Sequence, residues 1–369
     1  MPSADAQIQE VEGLERIGLA VSVPSLADSI VEIVQKSGVK AEEYPAEGED
    51  AGYVRIRTTL LMRMSPLPVG VYIRLSPTKY LKIFAPEDVF DAQDLQKYQD
   101  KKNIQYFFVP KENAGVFVGR LNEQLKQLLA MENISLSESQ QQMEESVDAM
   151  QNLINSLGVT DEVREVVQNN VDVTMKAMGE FPELGGILKN LHANQTSYLA
   201  SHSLMLAHVA CALAVGVDWY SEATFQKLSM AAFLHDTALQ NNDLCRVKDL
   251  QELEKKYKGQ FTAKQVAEYK AHPEKAALMI AQFKEVGAEV DKIILQHHEH
   301  PYGTGFPGAL NASYISPLAS LFIVAHDLVD HLFDRNGVPN IEEFLLENEK
   351  KYAQGNFKKV AKAIMQMVF

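Results

Sequence analysis

The sequence is poor in cysteine and has no excess of positive charge. Of its 369 residues, two are cysteines, Cys211 and Cys245, which are too few for a disulfide framework and are typical of a reducing compartment. The formal net charge is −14. Because nucleic-acid-binding proteins usually carry a basic face, this charge argues against a nucleic-acid polymer as partner. A small anion held by a metal ion or a local basic pocket remains compatible with it.

Long apolar runs are also missing. The most apolar run covers residues 204–215 and contains His208, so it is shorter than the ~20 residues that span a bilayer and is interpreted as a buried core helix. The first ten residues, MPSADAQIQE, lack the basic and apolar parts of a signal peptide. We therefore expect a cytoplasmic protein without a membrane span.

The first third of the chain differs in hydrophobic pattern from the rest. Between residues 52 and 121 apolar and polar residues largely alternate, which is typical of half-buried strands. The strand candidates are residues 53–57, 70–75, 106–109 and 116–118, and helical segments are predicted at 25–36, 92–101 and 124–129. This pattern predicts a small α+β domain.

After a polar stretch rich in Ser, Gln and Glu, the spacing becomes helical almost to the end of the sequence. Thr160 followed by two acidic residues predicts a helix start, because a threonine cap and negative charge both stabilise a helix N-terminus. We predict a multidomain chain with an N-terminal α+β domain at residues 1–130, a linker at 131–145 and an all-α helical bundle at 146–369.

Histidine is absent from the first 191 residues, and all ten histidines lie between His192 and His331. Six side chains that can bind metal lie in or beside apolar helical segments: His202, His235, Asp236, His272, His297 and His298. Burying such groups is costly unless they are paired or coordinate a metal ion. Neither cysteine belongs to the set, and histidine and carboxylate ligands without thiolate fit iron, manganese or zinc in a catalytic or ligand-binding site.

The two adjacent pairs in this set, His-Asp and His-His, carry further information. Neighbouring residues on a helix diverge by about 100°, so such pairs suit two nearby ions, or one ion and a substrate, better than a single closed site. Two metals about 3.5–4 Å apart can hold a bridging hydroxide and clamp a phosphate oxygen for in-line attack.

The order of the motifs resembles that of the HD-GYP family of HD-domain phosphohydrolases. A first histidine is followed by His-Asp, His-Pro, His-His-Glu, a Gly-Phe-Pro turn and a helix that carries aspartate, over about residues 140–369. The resemblance implies an all-helical bundle that binds two or three metal ions, commonly iron, and hydrolyses cyclic di-GMP, a bacterial signal. It also implies a sensory or regulatory role for the N-terminal domain.

By position, the resemblance implies both metal ligands and catalytic residues. The implied ligands are His202, His235, Asp236, His272, His297, His298 and Asp327. His235 and Asp236 are the expected catalytic residues, together with a metal-bridging hydroxide. His326 competes for the last ligand position, but Asp327 is favoured because Asp330 then lies three residues further on, as in the family. We expect two divalent ions, with iron first and manganese or zinc as alternatives.

The chain departs from the family where the substrate is contacted. Leu239 stands in place of a lysine, Phe306 in place of the tyrosine of the Gly-Tyr-Pro turn, and Ser320 or Leu321 in place of an arginine. Tyr198 replaces a glutamate that supports a third metal in some members, so two metals are expected rather than three. The substrate contacts still implied are Gly305, Phe306, Pro307 and Arg335.

Several other polar residues admit two interpretations. Glu299 either orients a ligand or is an exposed carboxylate at a helix end, and the lysine-rich stretch 255–258 forms either a solvated face or a lid over the site. The basic residues of the N-terminal strands are interpreted as the outer face of a sheet, with an anion site as the alternative. The remaining histidines, His192, His208, His300 and His331, are not expected to be ligands, and all but His208 are expected to be exposed.

Three functions are compatible with these features. The leading hypothesis is a protein that binds and slowly hydrolyses cyclic di-GMP at a binuclear site, since losing preorganised charge commonly costs several kcal/mol of transition-state stabilisation. The second is a catalytically impaired cyclic di-GMP receptor that a signalling partner reads. The third is a phosphohydrolase for another nucleotide or phosphate ester. The expected ligand is cyclic di-GMP or a related phosphodiester, and the sequence does not indicate an oligomeric state.

Overall fold

The computed structural model describes residues 8–11, 14–17, 52–61, 64–76, 79–89, 104, 106–131, 136–180, 197–239, 243–283, 289–335 and 340–365. Contacts between residues divide the chain into two units, Met1–Phe117 and Val118–Phe369. The helices predicted at residues 25–36 and 92–101 lie outside the described residues.

The first unit contains two antiparallel sheets. Strands β1 (Ile8–Val11) and β2 (Leu14–Ile17) pair with each other, with Ile8 opposite Ile17. The second sheet contains β3 (Tyr53–Arg57), β4 (Val71–Ser76), β5 (Lys79–Phe84) and β6 (Tyr106–Pro110) in the order β3-β6-β4-β5, and a short helix α1 (Thr58–Leu61) follows β3. In β3 and β4 buried and partly exposed side chains alternate. This alternation confirms the predicted half-buried strands.

The strand predicted at residues 116–118 is wrong. These residues lie inside helix α2 (Ala114–Ala130), which also contains the helical segment predicted at 124–129. The buried side chains of α2 include Phe117, Val118, Leu121, Leu125 and Leu128. They recur at intervals of three and four residues, the period of a helix face, and this longer repeat outweighs the short alternating run at its start.

The second unit is helical throughout the part that the structure describes. Its helices are α3 (Leu136–Leu157), α4 (Asp161–Glu180), α5 (Tyr198–Gly216), α6 (Glu222–Leu234), α7 (Leu250–Lys255), α8 (Ala263–Ile280), α9 (Val290–Gln296), α10 (Pro317–Asp334), α11 (Ile341–Asn348) and α12 (Gly355–Ile364). An α+β domain followed by a helical bundle is the fold class that the sequence predicts. The predicted linker, residues 131–145, overlaps the start of α3, and the domain limits drawn from the sequence stay a prediction.

Helix α5 forms the centre of the bundle. It is apolar on nearly all sides and packs against α3, α6, α10 and α12, as expected of a helix that must be buried all round. By length and composition alone it could cross a membrane, but 83% of its most apolar window is buried inside the protein. The interpretation of this segment as a core helix agrees with that burial.

Side-chain caps fix where the site-bearing helices begin. Ser197 caps α5, Ser221 caps α6 and Ser316 caps α10, in each case by accepting a hydrogen bond from a backbone N–H three residues further on. Thr262 and Gln265 form a capping box at the start of α8. Helix α8 therefore begins at Ala263, and His272 and Pro273 lie within it.

Candidate metal centre

Five parts of the helical unit bring seven side chains to one place. His202 lies in α5, His272 in α8 and His326 in α10, whereas two adjacent pairs, His235-Asp236 and His297-His298, directly follow the last turns of α6 and α9. The side chains form two groups, and within each group the ligand atoms lie within 4.8 Å of one another. The first group is His202, His235 and His326, and the second is Asp236, His272, His297 and His298.

Backbone carbonyls fix the ring orientation of three of these histidines. Each offers its Nδ1 to the carbonyl oxygen three residues earlier, at 2.9 Å for His235, 2.5 Å for His272 and 2.6 Å for His297. Because a carbonyl only accepts, Nδ1 carries the proton and Nε2 of the neutral ring keeps its lone pair. Metal-binding histidines are typically held in this way.

The lone pairs of the second group point at one another. Nε2 of His272 lies 3.1 Å from Nε2 of His297 and 3.2 Å from Oδ1 of Asp236. His235 Nε2, on the edge of both groups, is buried and has no hydrogen-bond partner among the described residues. Acceptors that converge in a buried space without a donor repel one another. These nitrogen and oxygen atoms therefore fit divalent cations, which accept such lone pairs.

Asp330 completes the first group, although it is not one of the site residues predicted from the sequence. Its Oδ1 lies 3.0 Å from His202 Nε2 and its Oδ2 lies 3.2 Å from His326 Nδ1, one helical turn earlier in α10. The Asp330 side chain is 6% exposed. One buried carboxylate thus holds two of the three imidazoles. Its position four residues after His326 was the available signal, because residues at that spacing share a helix face.

The electrostatics of the site favour neutral imidazoles at three positions next to ionised carboxylates; at His326 burial lowers the pKa, but the charge of Asp330 and its bond to the ring raise it above the ordinary value. Burial lowers the pKa of His235 and His298 well below the ordinary value, and lowers that of His297 to about 4. Burial alone would raise the pKa of Asp330, but His326 and His202 lower it far below its usual range. Neutral imidazole and charged carboxylate are the protonation states that bind metal.

Asp327, the predicted last ligand, does not join either group. Its Oδ2 accepts hydrogen bonds from Lys351 Nζ at 2.5 Å and from the Tyr352 hydroxyl, whereas His326 lies in the first group. Neighbouring residues on a helix point about 100° apart, and although both residues line the cavity, only the His326 side chain lies among the grouped ligand atoms. The geometry therefore favours the competing residue His326, and the identity of the last ligand stays a prediction.

The loop after His298 is held tightly against the site. A Cβ on Gly305 would lie 2.4 Å from the carbonyl oxygen of His298 and 2.5 Å from Cα of Glu299, so only glycine fits there. The carboxylate of Glu299 accepts hydrogen bonds from the backbone N–H groups of Gly308 at 2.6 Å and Leu310 at 2.7 Å. Glu299 is 3% exposed. It therefore fixes the turn and is not an exposed helix-end carboxylate.

Phe306 presents its ring to the second group. The ring stacks on His298 with centroids 4.6 Å apart and planes 14° apart, and it is 7% exposed. Phe306, Gly305 and both residues of the His297-His298 pair line a cavity of about 400 Å³ that also reaches His326 and Asp330. The cavity gives a ligand access to side chains of both groups.

Three other positions named from the sequence lie elsewhere. Arg335 forms ion pairs with Glu343 at 2.6 Å and Glu347 at 3.8 Å and does not line the cavity. Pro307 belongs to the same turn as Phe306 but is not among the lining residues. Leu239 is 4% exposed and belongs to an apolar cluster with Tyr198, Tyr269 and Phe306. The predicted substrate contact through Arg335 is thus not brought to the site.

Residues expected to lie outside the site behave in different ways. Tyr198, in place of an acidic ligand, lies with its ring 5.4 Å from that of His202. His208 is buried and donates from Nδ1 to the Leu204 carbonyl at 2.8 Å. His331 was expected to be exposed but is 5% exposed, beside Arg335. His300 is half-buried, and His192 lies outside the described residues.

Comparison with known proteins identifies this helical unit. Residues 189–343 match the family model described as HD domain. The chain carries an HD domain. Its fold is similar to the solved structure of Bd1817, an HDG"Y"P protein from Bdellovibrio bacteriovorus, with a TM-score of 0.57, 19% sequence identity, and coverage of 85% of this chain and 99% of that chain. No curated protein sequence matches the chain.

These findings confirm the resemblance to HD-GYP proteins drawn from the sequence. They support a phosphohydrolase of the HD superfamily, whose domains bind metal ions, and the His/Asp groups are able to hold such ions.

Proposed function

We propose that this protein binds cyclic di-GMP at a binuclear centre of divalent metal ions and hydrolyses it slowly. The observation that carries the proposal is the pair of adjacent His/Asp groups at one cavity. The expected metal is iron, with manganese or zinc as alternatives, since all three accept imidazole and carboxylate ligands.

The side chains around the cavity have separable tasks in this proposal. Asp236 and the neutral imidazoles would hold two ions, and Asp330 would orient His202 and His326 toward the first of them. Bound ions would polarise a phosphate oxygen and activate the attacking water. Phe306, stacked on His298, offers an aromatic edge to a guanine base.

Slow turnover follows from groups that the cavity does not contain. Leu239 is packed in an apolar cluster, Phe306 has no hydroxyl, and Arg335 is bound to glutamates away from the lining residues. Each change removes a group that could stabilise developing charge. Removing one such group commonly costs about 3–4 kcal/mol, or 100- to 1000-fold in rate.

The test combines metal analysis with turnover on protein purified without oxygen. We expect about two iron or manganese ions per chain and slow conversion of cyclic di-GMP to a linear product. His272→Asn is the control, because it removes a ligand of the second group and should abolish turnover. Turnover as fast as that of a typical enzyme, about 1–1000 s⁻¹, would contradict the slow rate, and absence of metal after reconstitution would contradict the centre itself.

A catalytically impaired receptor is the second candidate, and the apolar surroundings of Leu239 favour it. Binding needs metal contact and stacking, whereas catalysis also needs charge that acts in the transition state. Tight binding of cyclic di-GMP by metal-loaded protein with no product over hours would select the receptor. Product formation from a different nucleotide in a substrate panel would instead select another HD phosphohydrolase activity.

A further inference from the structure

The cavity beside the two His/Asp groups is poor in positive charge. Its described lining contains five carboxylates, Asp249, Glu299, Asp327, Asp330 and Glu347, but two lysines, Lys248 and Lys351, and no arginine. A phosphate that enters is repelled by this excess of carboxylates unless cations face it. Metal ions in the two groups can contact one phosphate, but a cyclic dinucleotide carries two.

Lys351 is held at the edge of this cavity. Its Nζ lies 2.5 Å from Oδ2 of Asp327, and the side chains of Lys351 and Asp327 are 24% and 25% exposed. An ammonium has three N–H donors and only one is used in this contact. Lys351 can therefore keep Asp327 and donate to a phosphate oxygen at the same time.

Lys248 occupies a comparable position. Its ammonium pairs with Asp334, which lies outside the cavity lining, and the Lys248 side chain is 33% exposed. Burial alone would lower the pKa of Lys248, but the bond to Asp334 and the charge of Asp330 raise it above the ordinary value. Lys248 therefore stays charged, and it interacts electrostatically with Asp330, the carboxylate that contacts His202 and His326.

Other cations near the site do not line the cavity. Arg335 is bound to Glu343, and Lys256, from the lysine-rich stretch considered as a lid, is bound to Glu252 at 2.7 Å. Arg246 lies over the ring of Tyr198. None of the three belongs to the described lining of the cavity.

We propose that Lys248 and Lys351 form the anion-binding side of the cavity and contact a phosphate of the ligand that the two His/Asp groups do not hold. This inference rests on the proposed function for the class of ligand, a phosphodiester. It assigns to these two lysines the positive charge that position 239 does not provide.

The test measures affinity rather than turnover. Metal-loaded wild type, Lys248→Met and Lys351→Met are titrated calorimetrically with cyclic di-GMP and, separately, with inorganic phosphate. Each methionine variant is expected to bind about tenfold more weakly, as for the loss of one charge-assisted hydrogen bond at a partly exposed position. The metal content should equal that of wild type in every variant, which also reports that the site is folded.

Two matched variants separate charge at the cavity from charge in general. Lys350→Met removes the same charge one residue away, at an exposed position outside the lining, and should bind as wild type does. Lys351→Arg retains the charge and should bind more tightly than Lys351→Met.

Unchanged affinity of Lys248→Met and Lys351→Met for both ligands would overturn the inference, and so would equal weakening by Lys350→Met. The proposed function fails in a different way. If wild type binds phosphate but not cyclic di-GMP, the proposed ligand is wrong, and the phosphate affinities of the variants alone decide the role of the lysines.

Discussion

Replacing Asp330 by asparagine is expected to weaken metal binding at the first group by about 10- to 100-fold. In the structure one carboxylate lies 3.0 Å from His202 and 3.2 Å from His326, and its side chain is 6% exposed. Asparagine keeps the size of the side chain but removes its charge. It can also accept a hydrogen bond through only one of its two terminal atoms, so it can hold only one of the two rings as an acceptor.

The magnitude corresponds to about 1.4–2.7 kcal/mol of metal-binding free energy. This loss of binding free energy affects one ion, because the contacts of Asp330 are with His202 and His326 of the first group. We therefore expect Asp330→Asn to lose about one of two metal equivalents on dialysis against a weak chelator, while the second group retains its ion.

Asp327→Asn is the matched control, since it is the same substitution three residues away on the same helix. The Asp327 carboxylate contacts Lys351 and Tyr352 rather than either group, so this variant should retain full metal content by mass spectrometry. The reasoning is refuted if Asp327→Asn loses an equivalent while Asp330→Asn keeps both. That result would restore the ligand assignment favoured by the sequence.

Three further predictions concern the turn, the apolar cluster and pH. Gly305→Ala should destabilise the protein by about 1–3 kcal/mol in urea unfolding, because its Cβ would overlap backbone atoms, whereas Gly119→Ala, whose Cβ would meet no atom within 4 Å, should not. Leu239→Lys should lower the melting temperature rather than raise turnover, since an ammonium would enter an apolar cluster; a faster, equally stable variant would contradict this. Metal-free protein should lose stability as pH falls from 7 to 5. The imidazole of His297 gains a proton near pH 6.5 in the unfolded chain but only near its pKa of about 4 in the folded one, so this residue alone contributes a loss of about 2 kcal/mol. Constant stability in chemical denaturation across this range would argue against neutral buried imidazoles.

The strand and helix patterns were predicted well where one period dominates. β3 and β4 alternate over five and six residues, and the threonine before α4 accepts the N–H of Val163 at 3.3 Å, as its cap position predicts. The strand prediction for residues 116–118 was wrong because three apolar residues in a row fit a buried strand as well as a helix start. These residues are helical because buried side chains further along α2 continue the helical spacing, and a short sequence window does not include them.

The same contrast applies to charged residues near the site. Arg335 matched the expected basic position, but in the folded chain it pairs with Glu343 and Glu347. Lys351 carried no motif, yet it lines the cavity because the chain after α11 returns to α10. Sequence patterns identify which residues can carry charge, whereas the pairing of those charges depends on contacts between distant segments.

The sequence by itself predicted the helical bundle and six of the seven grouped side chains that could hold metal ions, because buried histidines and carboxylates are stable only when they are paired or coordinate a cation. Only the tertiary structure distinguishes His326 from Asp327, and its geometry favours His326. Both lie on α10, and the motif order accommodates either. The packing of α10 against α5 sets the rotation of the helix, which directs His326 and Asp330 toward His202 and turns Asp327 toward Lys351.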